Sequence, residues 1–96
     1  MSADQLLTRK RDDVLRIAAE HGARNVRMFG SAARGEATEA SDVDFLVEME
    51  PRRSLLDLAA LRNDLMDLLG RQVDVVTDDG LYWLLRRKIL QEARPL

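Results

Sequence analysis

Two short apolar runs, each with chemistry at one end, limit what this chain can become. Val26 to Phe29 runs into Gly30-Ser31, and ten residues later Asp42-Val43-Asp44 opens a second run, Phe45 to Val47. Runs this short and this rich in strand-forming residues read as strands. A third, Val73 to Thr77, carries Asp74. A chain of 96 residues has room for one small sheet and one modest core, so a single domain is expected. Three carboxylates at strand ends beside a small glycine-serine loop point to a two-metal site.

The rest of the pattern supplies helices. Residues 3–21 place Leu6, Leu7, Val14, Ile17 and Ala18 at a helical period, and Gly22 provides a stop. Ser31 to Arg34 reads as a short helix with Ser31 near its start, and Gly35 to Ser41 as a polar loop. In the strand Asp42 to Met49, Val43, Phe45 and Val47 share one face, and Asp42, Asp44 and Leu46 the other. Pro51 ends that strand. Ser54 then caps a helix to about Leu69, with Asp57 at its third position. Leu55, Leu58, Leu61, Leu65 and Leu69, with Leu68, form its expected buried stripe, and Gly70 stops it. Gln72 to Thr77 is a strand, Asp78-Asp79-Gly80 a turn, and Leu81 to Ala93 a last helix. The expected order is α-β-(short α)-β-α-β-α, an α/β (α+β) fold in which helices flank a small sheet. The chain shows no internal repeat, low-complexity tract or linker.

Composition narrows the chemistry. The apolar share of 46% and the charged share of 33% belong to a globular chain, not a disordered one. A formal charge of −2 gives no general pull toward nucleic acid. Without cysteine there are no disulfides or cysteine-based zinc sites, and His21, the single histidine, rules out a histidine-rich metal site. The polar N-terminus has no apolar segment of signal-peptide type, and no apolar run approaches the roughly 18–20 residues that span a membrane. A cytoplasmic protein is expected.

Asp42 and Asp44 lie two apart on a strand, so their side chains leave the same face. Two carboxylates that close raise each other's proton affinity, and a divalent cation relieves the repulsion. Hard oxygen ligands suit Mg²⁺. If the third strand lies beside the second, Asp74 joins the same edge. There it either completes an ion site or takes the proton of an acceptor hydroxyl. Taken alone, a D-x-D pair is more often a solvated strand end; the conjunction with Gly30-Ser31 changes that weighting.

Gly30 lets backbone approach a ligand without a Cβ. Ser31 offers a hydroxyl, the amides of a new helical turn offer donors to phosphate oxygens, and Arg34 adds a guanidinium one turn on. Without the acids, a simple turn in which Ser31 only caps a helix is the better reading. The element matches neither the P-loop nor the dinucleotide-binding glycine pattern.

GSAARGEATEASDVDFLVEM followed by RQVDVVT resembles the nucleotidyltransferase domain of the DNA polymerase β superfamily, with its G-S-x10-D-x-D pattern and later third aspartate. The short length and the tail LLRRKILQEA resemble the minimal nucleotidyltransferases encoded beside HEPN-domain proteins, the MntA-type antitoxins. The resemblance covers roughly residues 20–94. It implies a mixed sheet with flanking helices and ATP as donor. It also implies Mg²⁺, with two ions expected, at Asp42, Asp44 and Asp74, and a triphosphate held by Gly30 and Ser31. For the antitoxins it further implies a hetero-oligomer with a HEPN toxin, an RNase inactivated when a tyrosine is adenylylated. Two other readings stay open: an antitoxin that neutralises its toxin by occlusion alone, and a nucleotidyltransferase acting on a small molecule or an RNA end.

Other features carry less. His21 suits a helix end, where a cation is mildly favourable. Arg9-Lys10-Arg11 and Arg86-Arg87-Lys88 read as solvated helix faces, although the second would also suit an acidic partner. Leu81 to Leu85 is a dense apolar cluster, part of which is expected in the core. Tyr82 and Trp83 are not both expected to be buried, which leaves an interface open.

Overall fold

A computed structural model describes residues 3–36, 42–81 and 83–96. The first helix, α1 (Ala3–Glu20), buries Leu7, Val14 and Ala18. It ends where His21 N–H donates to Ile17 and Ala18 carbonyls and Gly22 turns the chain at φ 78°. The His21 ring meets Asp64 at 2.6 Å, tying this corner to the helix α3 (Leu55–Leu69).

Strand β1 (Ala23–Phe29) begins three residues before the apolar run suggested. The reason is a bulge. Its antiparallel register with β2 (Val43–Met49) shifts between Arg24 and Arg27, where Asn25 adopts φ 50°. Asparagine tolerates that left-handed geometry better than most residues. The extra residue changes the parity of the strand, so Ala23 and Val26 are both buried in the core.

The short helix α2 (Gly30–Ala33) follows β1 directly. The expected loop 35–41 is described only at Gly35 and Glu36, residues 37–41 lying outside the described residues. Helix α3 opens at the expected Ser54 cap, which the structure completes into a capping box: Ser54 oxygen accepts from Leu56 N–H, and Asp57 accepts from the Ser54 N–H at 2.9 Å. Gly70 closes it at φ 64°. Strand β3 (Val73–Thr77), helix α4 (Trp83–Glu92) and a short strand β4 (Arg94–Pro95) complete the chain; β4 was not foreseen.

The described strands order β3-β2-β1-β4. β2 and β3 run parallel, joined through α3, while β1 is antiparallel to both β2 and β4. This is the mixed, helix-flanked sheet the sequence suggested. One face packs Val43, Phe45, Val47, Val73 and Val75 against Leu61, Leu65, Val14 and their neighbours. Two expectations are corrected. Leu55 is 82% exposed, not part of the buried stripe, because the fully buried residues of α3 are confined to Leu61, Leu65 and Leu69 and its first turn reaches beyond the core. No residue of α4 is buried, so the apolar cluster contributes little to the core; Tyr82 lies outside the described residues. No described helix is long and apolar enough to cross a membrane.

Candidate active site

The parallel register sets the acids side by side. Asp44 pairs with Asp74 across β2 and β3, and Phe29 pairs with Asp44 on the antiparallel side. Strand alternation sends Val43 and Phe45 into the core and leaves Asp44 and Asp74 on the other face. Asp42 is exposed, one residue ahead of β2.

Burial raises the proton affinity of the Asp44 carboxyl, and the charges of Asp74 and then Asp42 raise it further; Arg34 opposes them. The Asp44 carboxylate therefore senses both neighbouring acids through space, and a guanidinium stands near enough to be felt.

Gly30 sits at φ 71°, and a Cβ built there would run into the Asp44 carboxylate. The sequence suggested that Gly30 leaves room for a ligand. The structure gives a more immediate reason: Asp44 rests against the turn, and only glycine permits it. Ser31 is the second residue of α2, whose cap position is Phe29 with no side-chain cap bond. The reading in which Ser31 merely caps its helix is thus not what the chain does.

Arg34 closes α2 and reaches the site, but its donors are engaged. Its Nε donates to Glu36 at 3.1 Å and a terminal nitrogen donates to Glu92 at 3.3 Å. Glu92 was invisible to sequence reasoning: it lies on α4, 58 residues away, and nothing local marks it.

Among the described residues no three such side chains converge on one metal position as they lie, so the acids form an open edge and not a closed cage. Their chemistry still fits a divalent cation. All donors are hard oxygens, and the Asp44 carboxyl, whose proton affinity is raised first by burial and then by the neighbouring acids, sits where a cation would relieve both.

A cleft of about 670 Å³ lies elsewhere, where β2 and β3 end, lined by Met49, Thr77, Arg53, Asp79 and Arg86 among others. It contains none of the three acids, and its guanidiniums and carboxylates offset one another. The three acids lie at the opposite strand ends.

The model of the nucleotidyltransferase domain matches residues 10–96. The chain belongs to that family. Protein adenylyltransferase MntA of Thermococcus cleftensis is 44% identical over 72 residues, covering 75% of this chain and 73% of the relative. A solved structure described as that of a minimal nucleotidyltransferase is 51% identical, with a TM-score of 0.86 over 96% of this chain and 94% of the other. A crystal structure of a toxin–antitoxin with AMP-PNP is 17% identical, with a TM-score of 0.76 over 88% of this chain and 69% of that one, and shares the fold. This nucleotidyltransferase is thus of the minimal, MntA-like kind.

Proposed function

We propose that this nucleotidyltransferase is a Mg²⁺-dependent protein adenylyltransferase that moves AMP from ATP to a tyrosine hydroxyl of a HEPN-domain toxin, and so acts as its antitoxin. The in-register pair Asp44 and Asp74, with Asp42 beside them and Gly30 against Asp44, carries the reading. The name of the Thermococcus relative and the nucleotide-bound toxin–antitoxin of the same fold support its direction. The proposal takes the chain as one catalytic unit working in the cytoplasm, where ATP is available.

In this scheme the Gly30-Ser31 turn holds the β- and γ-phosphates. Arg34 exchanges one of its carboxylate partners for a phosphate oxygen. Asp42, Asp44 and Asp74 would hold Mg²⁺, two ions being expected, and the chemistry this would supply is positive charge to offset that on the α-phosphate and the departing pyrophosphate. The tyrosine oxygen attacks the α-phosphorus in line. A new O–P bond forms as the bond to pyrophosphate breaks, and the hydroxyl proton passes to the exposed Asp74 carboxylate. The product carries added negative charge where an RNase must bind RNA phosphates, which repels the substrate.

Intact mass of the co-expressed toxin tests this. Wild-type chain should add about 329 Da per AMP, the group moved in such a displacement. If the Asp42/Asp44/Asp74 triple variant protects cells equally well and toxin mass never changes, occlusion is the mechanism.

A further inference from the structure

Helix α4 is the anomaly of this fold. It carries Trp83 at 73% exposure, Leu84 at 58% and Leu85 at 51%, and none of its residues is buried. Its better-covered positions, Ile89 and Glu92, lie on one side. The opposite side forms a shallow groove of about 420 Å³ lined by Trp83, Arg86, Arg87, Leu90 and Gln91. Those positions follow the spacing i, i+3, i+4, i+7 and i+8, a continuous helical stripe. In most surface helices such a stripe faces the core; here it faces outward. Trp83 and Leu90 bracket Arg87, while the neighbouring Arg86 guanidinium donates to the Asp78 carbonyl; an aromatic, a leucine and a guanidinium are the composition of an interface centre and not of a solvated face.

A further observation sets the character of the occupant. The charge on α4 is basic: Arg86, Arg87 and Lys88 against Glu92, in a chain of net charge −2. A second copy docking α4 on α4 about a two-fold axis would set those basic groups against their own images, which argues for a partner of opposite sign. The other side of the helix is taken up by the protein itself, Glu92 in its last turn accepting from Arg34, so the stripe is the side left for a partner.

We infer that the outward stripe of α4 is the docking surface for the acceptor protein, and that it receives an amphipathic helix bearing aspartate or glutamate beside apolar residues. The inference rests on the proposed function for the identity of that acceptor. Apolar contact to Trp83 and Leu90 provides the buried centre, and the Arg87 guanidinium sets register and speeds encounter.

The test uses the full chain and its HEPN toxin. Arg87→Glu combined with Leu90→Asp changes exposed positions outside the catalytic machinery. It should weaken toxin binding at least tenfold and raise the KM for toxin to match, while affinity for a non-hydrolysable ATP analogue stays within twofold. An acidic-to-lysine change on the toxin that restores binding to Arg87→Glu identifies the facing charge. Unchanged toxin binding by the double variant overturns the inference. So does a wild-type dimer, seen by sedimentation of the chain alone, that the double variant dissolves, since the stripe would then belong to a second copy. A wild-type chain that forms no complex with the toxin overturns both the docking surface and the proposed function. Binding that depends on α4 without any mass change in the toxin overturns only the transfer reaction.

Discussion

The two faces of the sheet are built from alternate residues of the same strands, yet they do opposite things. Toward α1 and α3, Val43, Phe45, Val47 and Val73 are at most 1% exposed. On the other face Leu46 is fully buried, but Asp44 and Asp74 flank it at one end, and Arg27 pairs with Asp78 at 2.5 Å further along. The first face holds the fold. The second is less fully covered, and its neighbouring acids Asp44 and Asp74 gather where β2 and β3 begin. A period of two lets one short sequence meet both demands, so substitutions should separate them cleanly.

The largest expected separation sets Asp44→Asn against Leu61→Ala. Asparagine at position 44 removes an anionic ligand and should cut transfer on the order of a thousandfold, the scale of several kcal/mol of transition-state stabilisation. The fold should survive, because the Asp44 charge is disfavoured where it sits. Leu61 is fully buried between α1 and the sheet, and its truncation should cost about 2–5 kcal/mol of stability. Residual folded Leu61→Ala should retain near-normal turnover. Steady-state transfer and urea denaturation of both variants decide it; an inactive but stable Leu61→Ala would break the division between faces.

Gly30→Val attacks the point where the two functions touch. The left-handed φ alone costs a β-carbon residue about 1–2 kcal/mol, and the new side chain displaces the Asp44 carboxylate. ATP-analogue affinity should fall at least tenfold by calorimetry, with a smaller loss of stability than Leu61→Ala. Unchanged affinity in a folded variant removes the turn from the nucleotide site.

How much of this was legible in the sequence follows the range of the interactions. The acid edge was readable because strand alternation and the spacing of Asp42, Asp44 and Asp74 are local, and only the β2–β3 adjacency had to be supplied by the fold. The cap at Ser54 and the stop at Gly70 are local and legible, while the return bond from the Ser54 N–H to Asp57 came from the structure. What escaped reading depended on tertiary placement. The Asn25 bulge shifts parity without any apolar signature. Leu55 has the right period for the buried stripe but lies beyond the end of the core. Part of the cluster at Leu81 to Leu85 reads as core by composition, and only the packing shows Trp83, Leu84 and Leu85 exposed. Glu92 meets Arg34 across 58 residues.

pH separates the two regions in sign. The folded-state pKa of Asp44 is raised by burial and by neighbouring acids, so the native state binds its proton more tightly than the unfolded chain. Its contribution to stability is largest below the unfolded value, near 3.9, and is lost as pH rises through the folded value. Asp57 is the reverse. The Ser54 N–H holds its pKa down, so its contribution is present above the unfolded value and is lost as pH falls through the folded one. In metal-free buffer Asp44→Asn should therefore gain on wild type as pH rises from about 4 toward 7, whereas Asp57→Asn should lose ground to wild type as pH rises toward about 4 from below and differ little in trend above about 5. Thermal unfolding from acid to neutral pH reads both; equal pH dependence in the two variants would remove the distinction.

The smallest effect should come from Glu92→Gln, and it tests whether α4 touches the chemistry at all. In the folded chain Glu92 and Glu36 share the guanidinium of Arg34. Arg34 is 42% exposed and Glu92 25%, so water screens the pair and its strength is modest. If the triphosphate must take Arg34 from these carboxylates, removing one charge eases the exchange. The KM for ATP should then fall about two- to fivefold, the scale set by an exposed ion pair, with kcat and stability little changed. The same substitution in an Arg34→Ala background should do nothing, since the competitor and the group it competes for would both be gone. A KM that rises instead would mean that Glu92 aims Arg34 at the phosphates. An effect that persists without Arg34 would mean that Glu92 acts through α4 itself, and the link between that helix and the nucleotide would have to run along another path.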